Sequence, residues 1–95
     1  MNSSQSMTSR YEVFLERAAQ RDLRRLPAHV FEETILRIKG LAENPRPPGC
    51  RKIVGSENDW RIRVGDYRVV YEVDDPGKKV IVFRVRHRKD AYGDI

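Results

Sequence analysis

Cysteine is almost missing from this 95-residue chain, and Cys50 stands alone. A lone thiol permits no internal disulfide and suits a reducing compartment, so a packed core has to hold the fold. Cys50 lies in Pro47-Pro48-Gly49-Cys50-Arg51, a turn with no histidine or acid close by, and is read as a structural thiol rather than a nucleophile. Histidine is equally scarce. His29 and His87 are far apart, and neither has a Cys or acidic cluster at ligand spacing. No metal site and no cofactor are expected. Long apolar runs are also missing, since Val80-Ile81-Val82-Phe83 is the longest, and no transmembrane helix fits. Met1 to Ser9 is polar and Ser-rich without the apolar stretch of a secretory signal, and is read as a disordered leader. The expectation is a cytoplasmic protein with no membrane partner, divided into a leader at 1–9 and one domain at 10–95.

What is present fits a small globular domain. Hydrophobic residues make up 39% and charged residues 35% of the chain, a balance found in folded rather than disordered sequences. At this length roughly 60–65% of the unfolded surface is expected to be buried. The net charge of +5 favours nucleic acid, a ribosome, an acidic protein or an anionic surface as partner. The bulk value is a weak guide, and the placing of the charges carries more.

Tyr11 to Leu15 is rich in β-favouring residues and predicts a first strand. A helix is predicted over 16–26, with Leu15, Ala19, Leu23 and Leu26 on one stripe and Arg17, Arg21, Arg24 and Arg25 largely off it. Pro27 ends it. A second helix is predicted over 28–43, with Phe31, Ile35, Ile38 and Leu41 or Ala42 facing the core, and Asn44-Pro45 stops it. The short link makes the two an antiparallel hairpin. Lys52-Ile53-Val54 is a candidate short strand. Trp60 to Val64 and Tyr67 to Val73 form two strands joined at Gly65-Asp66, a dipeptide suited to a tight turn. Asp74-Asp75-Pro76-Gly77 is another turn, and Val80 to Val85 the last strand. The order β-α-α-β-β-β predicts an α+β fold: a small, mainly antiparallel four-stranded sheet with the N-terminal helical hairpin on one face.

Side chains alternate along a strand. With Trp60, Ile62 and Val64 toward the helices, the matching sets are Val69, Tyr71 and Val73, then Ile81, Phe83 and Val85. The opposite face receives Arg61, Arg63, Arg68, Arg84 and Arg86, together with Val70, Glu72 and Val82. The arrangement depends on register. Arginine presents a planar fork matched to phosphate oxygens and holds its proton. A cluster of arginines therefore binds an anionic backbone and stabilises charge developing at phosphorus. RNA brings its own nucleophile, the 2′-hydroxyl. A ribonuclease on this face has only to orient it, move protons and neutralise the transition state. Tyr92 and Tyr67 are the candidates for stacking on a base. His87 is the one group of near-neutral pKa by the patch, hence a candidate acid or base. Lys52, Arg84, Arg86 and Lys89 complete the expected RNA-binding set.

Ala19 with Asp22-Leu23 and Leu26-Pro27, the Asn44-Pro45 stop, the stretch Trp60-Arg61-Ile62-Arg63-Val64-Gly65-Asp66-Tyr67-Arg68-Val69-Val70-Tyr71-Glu72-Val73 and the closing Val85-Arg86-His87-Arg88-Lys89-Asp90-Ala91-Tyr92 together resemble the RelE/ParE toxin superfamily. The RelE branch is the closer match. The resemblance implies a toxin of a type II toxin–antitoxin module that enters the ribosomal A site and cuts mRNA without a metal. The 2′-hydroxyl attacks the adjacent phosphate, leaving a cyclic phosphate and a free 5′-hydroxyl. By motif, Arg68 would stabilise the phosphorane, Arg88 would hold the phosphate or assist the leaving group, and Tyr92 would stack on or activate the nucleotide. Arg61 and Arg63 stand where the best-studied branch has lysines. Arginine barely exchanges protons, which leaves three alternatives: His87 as the base, catalysis that is mainly electrostatic and orientational, or an attenuated enzyme. The implied partners are a cognate RelB-like antitoxin, the 70S ribosome with its mRNA, and operator DNA only through the antitoxin. Two other readings stand beside this one, a ParE-like inhibitor of DNA gyrase and a catalytically weak basic binding module.

Overall fold

The chain runs β1 (Glu12–Leu15), α1 (Arg17–Arg24), α2 (Ala28–Gly40), β2 (Arg51–Lys52), β3 (Asp59–Val64), β4 (Tyr67–Asp74) and β5 (Lys79–His87). This is a computed structural model, and it describes residues 10–89. The expected leader and Tyr92 lie outside the described residues. α1 buries Ala19 and Leu23 and keeps its arginines Arg17, Arg21 and Arg24 exposed, as its stripe predicts. α2 ends at Gly40, three residues before the predicted stop, where glycine is a poor helix former. Leu41 and Ala42 stay buried in the turns that follow. Phe31 departs from the expected stripe at 39% exposure, and Thr34 is the buried residue in its place. The Thr34 hydroxyl is satisfied by donating to the Val30 carbonyl at 2.7 Å.

The sheet has five strands in the order β1-β5-β4-β3-β2, one more than the predicted four. The extra strand is the two-residue β2 at the sheet edge, which pairs Arg51 with Arg61 and Lys52 with Trp60. β1 runs parallel to β5, and the remaining pairs are antiparallel. Both helices cover one face, α1 against β5 and α2 against β3. Their Ala19, Leu23 and Ile38 join Ile62, Val64, Val69, Tyr71, Val73, Val80, Val82 and Val85 in one core. The α+β class stands.

One strand breaks the predicted alternation. Tyr71 pairs with Val82, but Val70 pairs with Arg84, so Phe83 is an extra residue at a β-bulge. Two residues oppose one there, and the pleat upstream is shifted by one. Val80 and Val82 therefore enter the core at 0% exposure. Ile81 and Phe83, expected inside, are only half-buried and lie outside the core cluster. Downstream of the bulge the parity is restored, with Val85 inside.

The end of the sheet away from the β3–β4 turn is tied down by polar contacts. The buried Tyr71 hydroxyl donates to the Pro45 carbonyl at 2.7 Å, fixing the Pro-rich loop. Arg46 grips Asp75 at 2.7 and 3.3 Å, and Tyr11 donates to the same carboxylate. Arg46 also lies 5.2 Å from the centre of the Trp60 ring.

Candidate functional site

The pairing of three strands turns the arginine pattern into geometry. Arg63 pairs with Arg68 and Arg68 with Arg86, which makes one row across β3, β4 and β5. Arg51 pairs with Arg61, Arg61 with Val70 and Val70 with Arg84, which makes the next row. Cross-strand partners share a face. Neighbours within a row stand about 5 Å apart, and the rows about 7 Å apart. The core side chains Ile62, Val64, Val69 and Val85 alternate with them and point the other way. Arg61, Arg63, Arg68, Arg84 and Arg86 thus share the face left open by the helices, as their alternation predicts.

Arg51, Arg61, Arg63 and Arg68, with Gly49, line a shallow depression of about 380 Å³. No carboxylate of the described residues forms an ion pair with any of these four arginines. Arg63 Nε reaches the Gly65 carbonyl at 3.4 Å, and one Arg68 nitrogen reaches the Tyr67 carbonyl at 3.3 Å. Both bonds are long, and each guanidinium has five N–H donors. Most of the donors remain available to a ligand. Gly49 has φ +92°, a backbone conformation that glycine adopts without strain. It closes the turn that delivers Arg51 to the depression.

The other expected residues are placed differently. Arg84 is committed to Asp22 of α1, at 2.8 Å through Nε and 3.2 Å through a terminal nitrogen. Asp22 Oδ2 also accepts the Val85 N–H at 2.9 Å. Burial pushes the Asp22 carboxyl up, but the Arg84 fork and the Val85 N–H outweigh it, and its pKa lies below the usual value. Lys52 pairs with Trp60, whose ring packs against the core, so it belongs to the helix side and not to the arginine face. Arg51 takes its place. The strand begins one residue earlier than its apolar residues suggest, and the parity reverses. His87 pairs with Tyr67, and Tyr67 with the buried Val64. His87 therefore lies on the helix side, one face away from Arg68, with its ring edge-on to Tyr67 at 5.2 Å. Tyr67 shares that side and does not flank the arginine rows. Arg88 is exposed and fastened to the β3–β4 turn, its N–H donating to the Asp66 carbonyl at 2.7 Å and its Nε 4.0 Å from the Asp66 carboxylate. Lys89 is exposed, and its backbone N–H donates to His87 Nδ1 at 3.3 Å. Cys50 is half-buried against the core.

A half-covered sheet backed by two helices, with Arg51, Arg61, Arg63 and Arg68 gathered on its open face and paired with no described carboxylate, defines a small basic α+β protein equipped to hold an anionic chain. The family model for the ParE toxin of the type II toxin–antitoxin system parDE matches residues 13–92, and the chain belongs to this RelE/ParE family of toxins. It is 34% identical over 85 residues to toxin RelE3 of Methanocaldococcus jannaschii, spanning 85% of this chain and 94% of that one. Among solved structures it is similar to the toxin–antitoxin complex RelBE2 of Mycobacterium tuberculosis, with a TM-score of 0.73 and 27% identity over 83% of this chain and 99% of the matched one. The archaeal RelE–RelB complex of Pyrococcus horikoshii OT3 gives a TM-score of 0.74 and 25% identity, over 82% and 94% of the two chains.

Proposed function

We propose that this toxin is an endoribonuclease that cuts mRNA on the ribosome and thereby stops translation in the cytoplasm. The observation that carries the reading is the set of arginines Arg51, Arg61, Arg63 and Arg68 in one depression without a described carboxylate among them. Four cations gathered on one depression repel one another. A phosphodiester seated among them relieves that repulsion, and more so as charge builds in the transition state. Arg68, in the middle of its row, is positioned for the phosphorane oxygens, while Arg61 and Arg63 hold the flanking backbone. The 2′-hydroxyl of the RNA attacks the adjacent phosphorus, the P–O5′ bond breaks, and the 5′-hydroxyl leaves with a proton.

With His87 on the opposite face, the geometry favours orientation and electrostatic stabilisation over a histidine base. Arg88, exposed beside the β3–β4 turn, is at the same end of the sheet as the Arg63–Arg68–Arg86 row and suits the scissile phosphate or the departing 5′-oxygen. Tyr92 retains its proposed role on the nucleotide base. The partner that restrains such a protein is a RelB-like antitoxin, since the similar solved structures are RelE–RelB complexes. An acidic segment of that antitoxin over the arginine face would neutralise it. Operator DNA is reached through the antitoxin.

The family model that matches is named for ParE, which favours inhibition of DNA gyrase as a second reading. Induction in a bacterial host, followed by primer extension on transcripts, separates the two. Cuts in phase with codons in translated RNA are expected. DNA-damage induction with intact transcripts would support the gyrase reading, and neither outcome would leave a basic binding module.

A further inference from the structure

Arg51 stands on the weakest element of the sheet. β2 has two residues, lies at the edge and pairs with β3 alone. The other arginines of the depression, Arg61, Arg63 and Arg68, stand on strands of six and eight residues. Like charges on one depression repel one another, and the arginine on the shortest strand yields most readily. What holds Arg51 in place must therefore come from the loop before it.

That loop is fastened at both ends. The Tyr71 hydroxyl donates to the Pro45 carbonyl at 2.7 Å. One residue on, the Arg46 guanidinium lies 5.2 Å from the centre of the Trp60 ring. Trp60 is also the strand partner of Lys52, the residue after Arg51. The loop thus leaves and re-enters the sheet at one tryptophan. Between these points Pro47 and Pro48 fix their φ angles, and the Cys50 N–H donates to the Pro47 carbonyl at 3.0 Å. A shift of Arg46 is passed along this short, stiff segment to Arg51. Arg46 is in turn gripped by Asp75 of the β4–β5 turn, through two terminal nitrogens at 2.7 and 3.3 Å. Tyr11 donates to the same carboxylate, and Lys78 lies 5.0 Å from the centre of the Tyr11 ring. Neither Arg46 nor Asp75 lines the depression.

We propose that Arg46 and Asp75 are positioning residues for the phosphate site: their clasp, at the far end of the sheet, sets where Arg51 stands in the depression. The proposal rests on the reading of that depression as the place where RNA phosphate is held. The clasp acts through Arg51 and touches no RNA.

The test uses the full chain and a 2′-O-methyl oligoribonucleotide, which lacks the attacking hydroxyl. Affinity and melting temperature are measured for wild type, Asp75→Asn, Arg51→Ala and the double variant. The Asp75 side chain is 50% exposed, so folding is not in question. Asp75→Asn removes a negative charge, which by itself favours an anionic ligand. A loss of affinity is therefore opposite in sign to a charge effect. Asp75→Asn is expected to weaken binding about fivefold when Arg51 is present, and by less than about twofold when residue 51 is alanine. Arg46→Lys keeps the charge but not the two-pronged grip, and should weaken binding by a similar factor. Affinity unchanged or raised in Asp75→Asn, or an equal loss with and without Arg51, overturns the clasp and leaves the arginine depression standing. Wild-type affinity retained in Arg51→Ala overturns the part of Arg51 in the depression, and the clasp with it.

Discussion

Arginine at positions 61 and 63 sets what each residue of the face can do. Guanidinium groups hold their protons through the whole working range of pH, so they contribute position and charge rather than proton transfer. Arg68, central in its row and with only one long contact to the backbone, should carry the largest share. Arg68→Ala is expected to reduce cleavage of translated RNA about 100-fold while the melting temperature stays near wild type, as measured by primer extension and thermal denaturation. Arg51→Ala should lower activity as well, though Arg51 is invisible to a reading that starts the strand at Lys52. His87→Gln supplies the contrast. Its ring lies on the helix side against Tyr67, and cleavage within about threefold of wild type is expected. A loss as large as that of Arg68→Ala would return His87 to the role of base. The four arginines Arg61, Arg63, Arg68 and Arg86 were legible because each alternates with a buried valine or isoleucine. Arg51, Lys52 and His87 were misplaced because parity at a strand end depends on where pairing begins, which is set by a partner strand distant in sequence.

Elements here are joined at places that local pattern does not reveal. The bulge at Phe83 is one such place, since Val80-Ile81-Val82-Phe83 is apolar throughout and offers no alternation to fix its parity. The core membership of Ile81 and Val82 was exchanged for that reason alone. The two helices, the hairpin and the turns were legible, because each has its own periodicity or breaker. The Asp22–Arg84 contact is another junction of this kind, tying α1 to the unpaired edge of β5 across 62 positions of sequence. The Asp22 side chain is only 11% exposed, so its loss should register in stability. Asp22→Asn is expected to cost about 2 kcal/mol at neutral pH, the usual scale for a hydrogen bond to a charged group. The folded carboxyl titrates below the ordinary value of 3.8. Its contribution is therefore complete above that value and lost as pH falls through the folded pKa. The gap between wild type and Asp22→Asn in urea melts should stay constant from neutral pH down to about 5 and close below about 4. Tyr71→Phe probes the other end of the sheet. Loss of the bond to the Pro45 carbonyl should cost about 1 kcal/mol, and loosening of the loop that carries Gly49 and Arg51 should weaken RNA binding further than that figure implies.

At the scale of the molecule, charge is found on both sides, and on the open face of the sheet four arginines converge on one depression. The net charge of +5 includes exposed Arg17, Arg21 and Arg24 on α1 as well as the rows on the sheet. Attraction of an RNA strand to the bulk charge would treat these groups alike, whereas a built phosphate site would not. Two charge-matched variants distinguish the cases. Arg61→Gln/Arg63→Gln and Arg17→Gln/Arg21→Gln each lower the net charge by two, from +5 to +3. Binding to single-stranded RNA releases counterions in proportion to the phosphates contacted, about 0.7 per contact in the slope of log affinity against log salt. The sheet-face variant is expected to flatten that slope by about 1.4, and the helix variant to leave it near wild type. Equal flattening by both would mean that net charge alone draws the RNA, with no specific phosphate contacts on the open face. A slope changed only by the α1 substitutions would move the binding surface to the far side of the molecule, away from Arg68. Because the variants carry the same total charge, long-range steering is held constant, and the difference between them reports contact at the arginine rows.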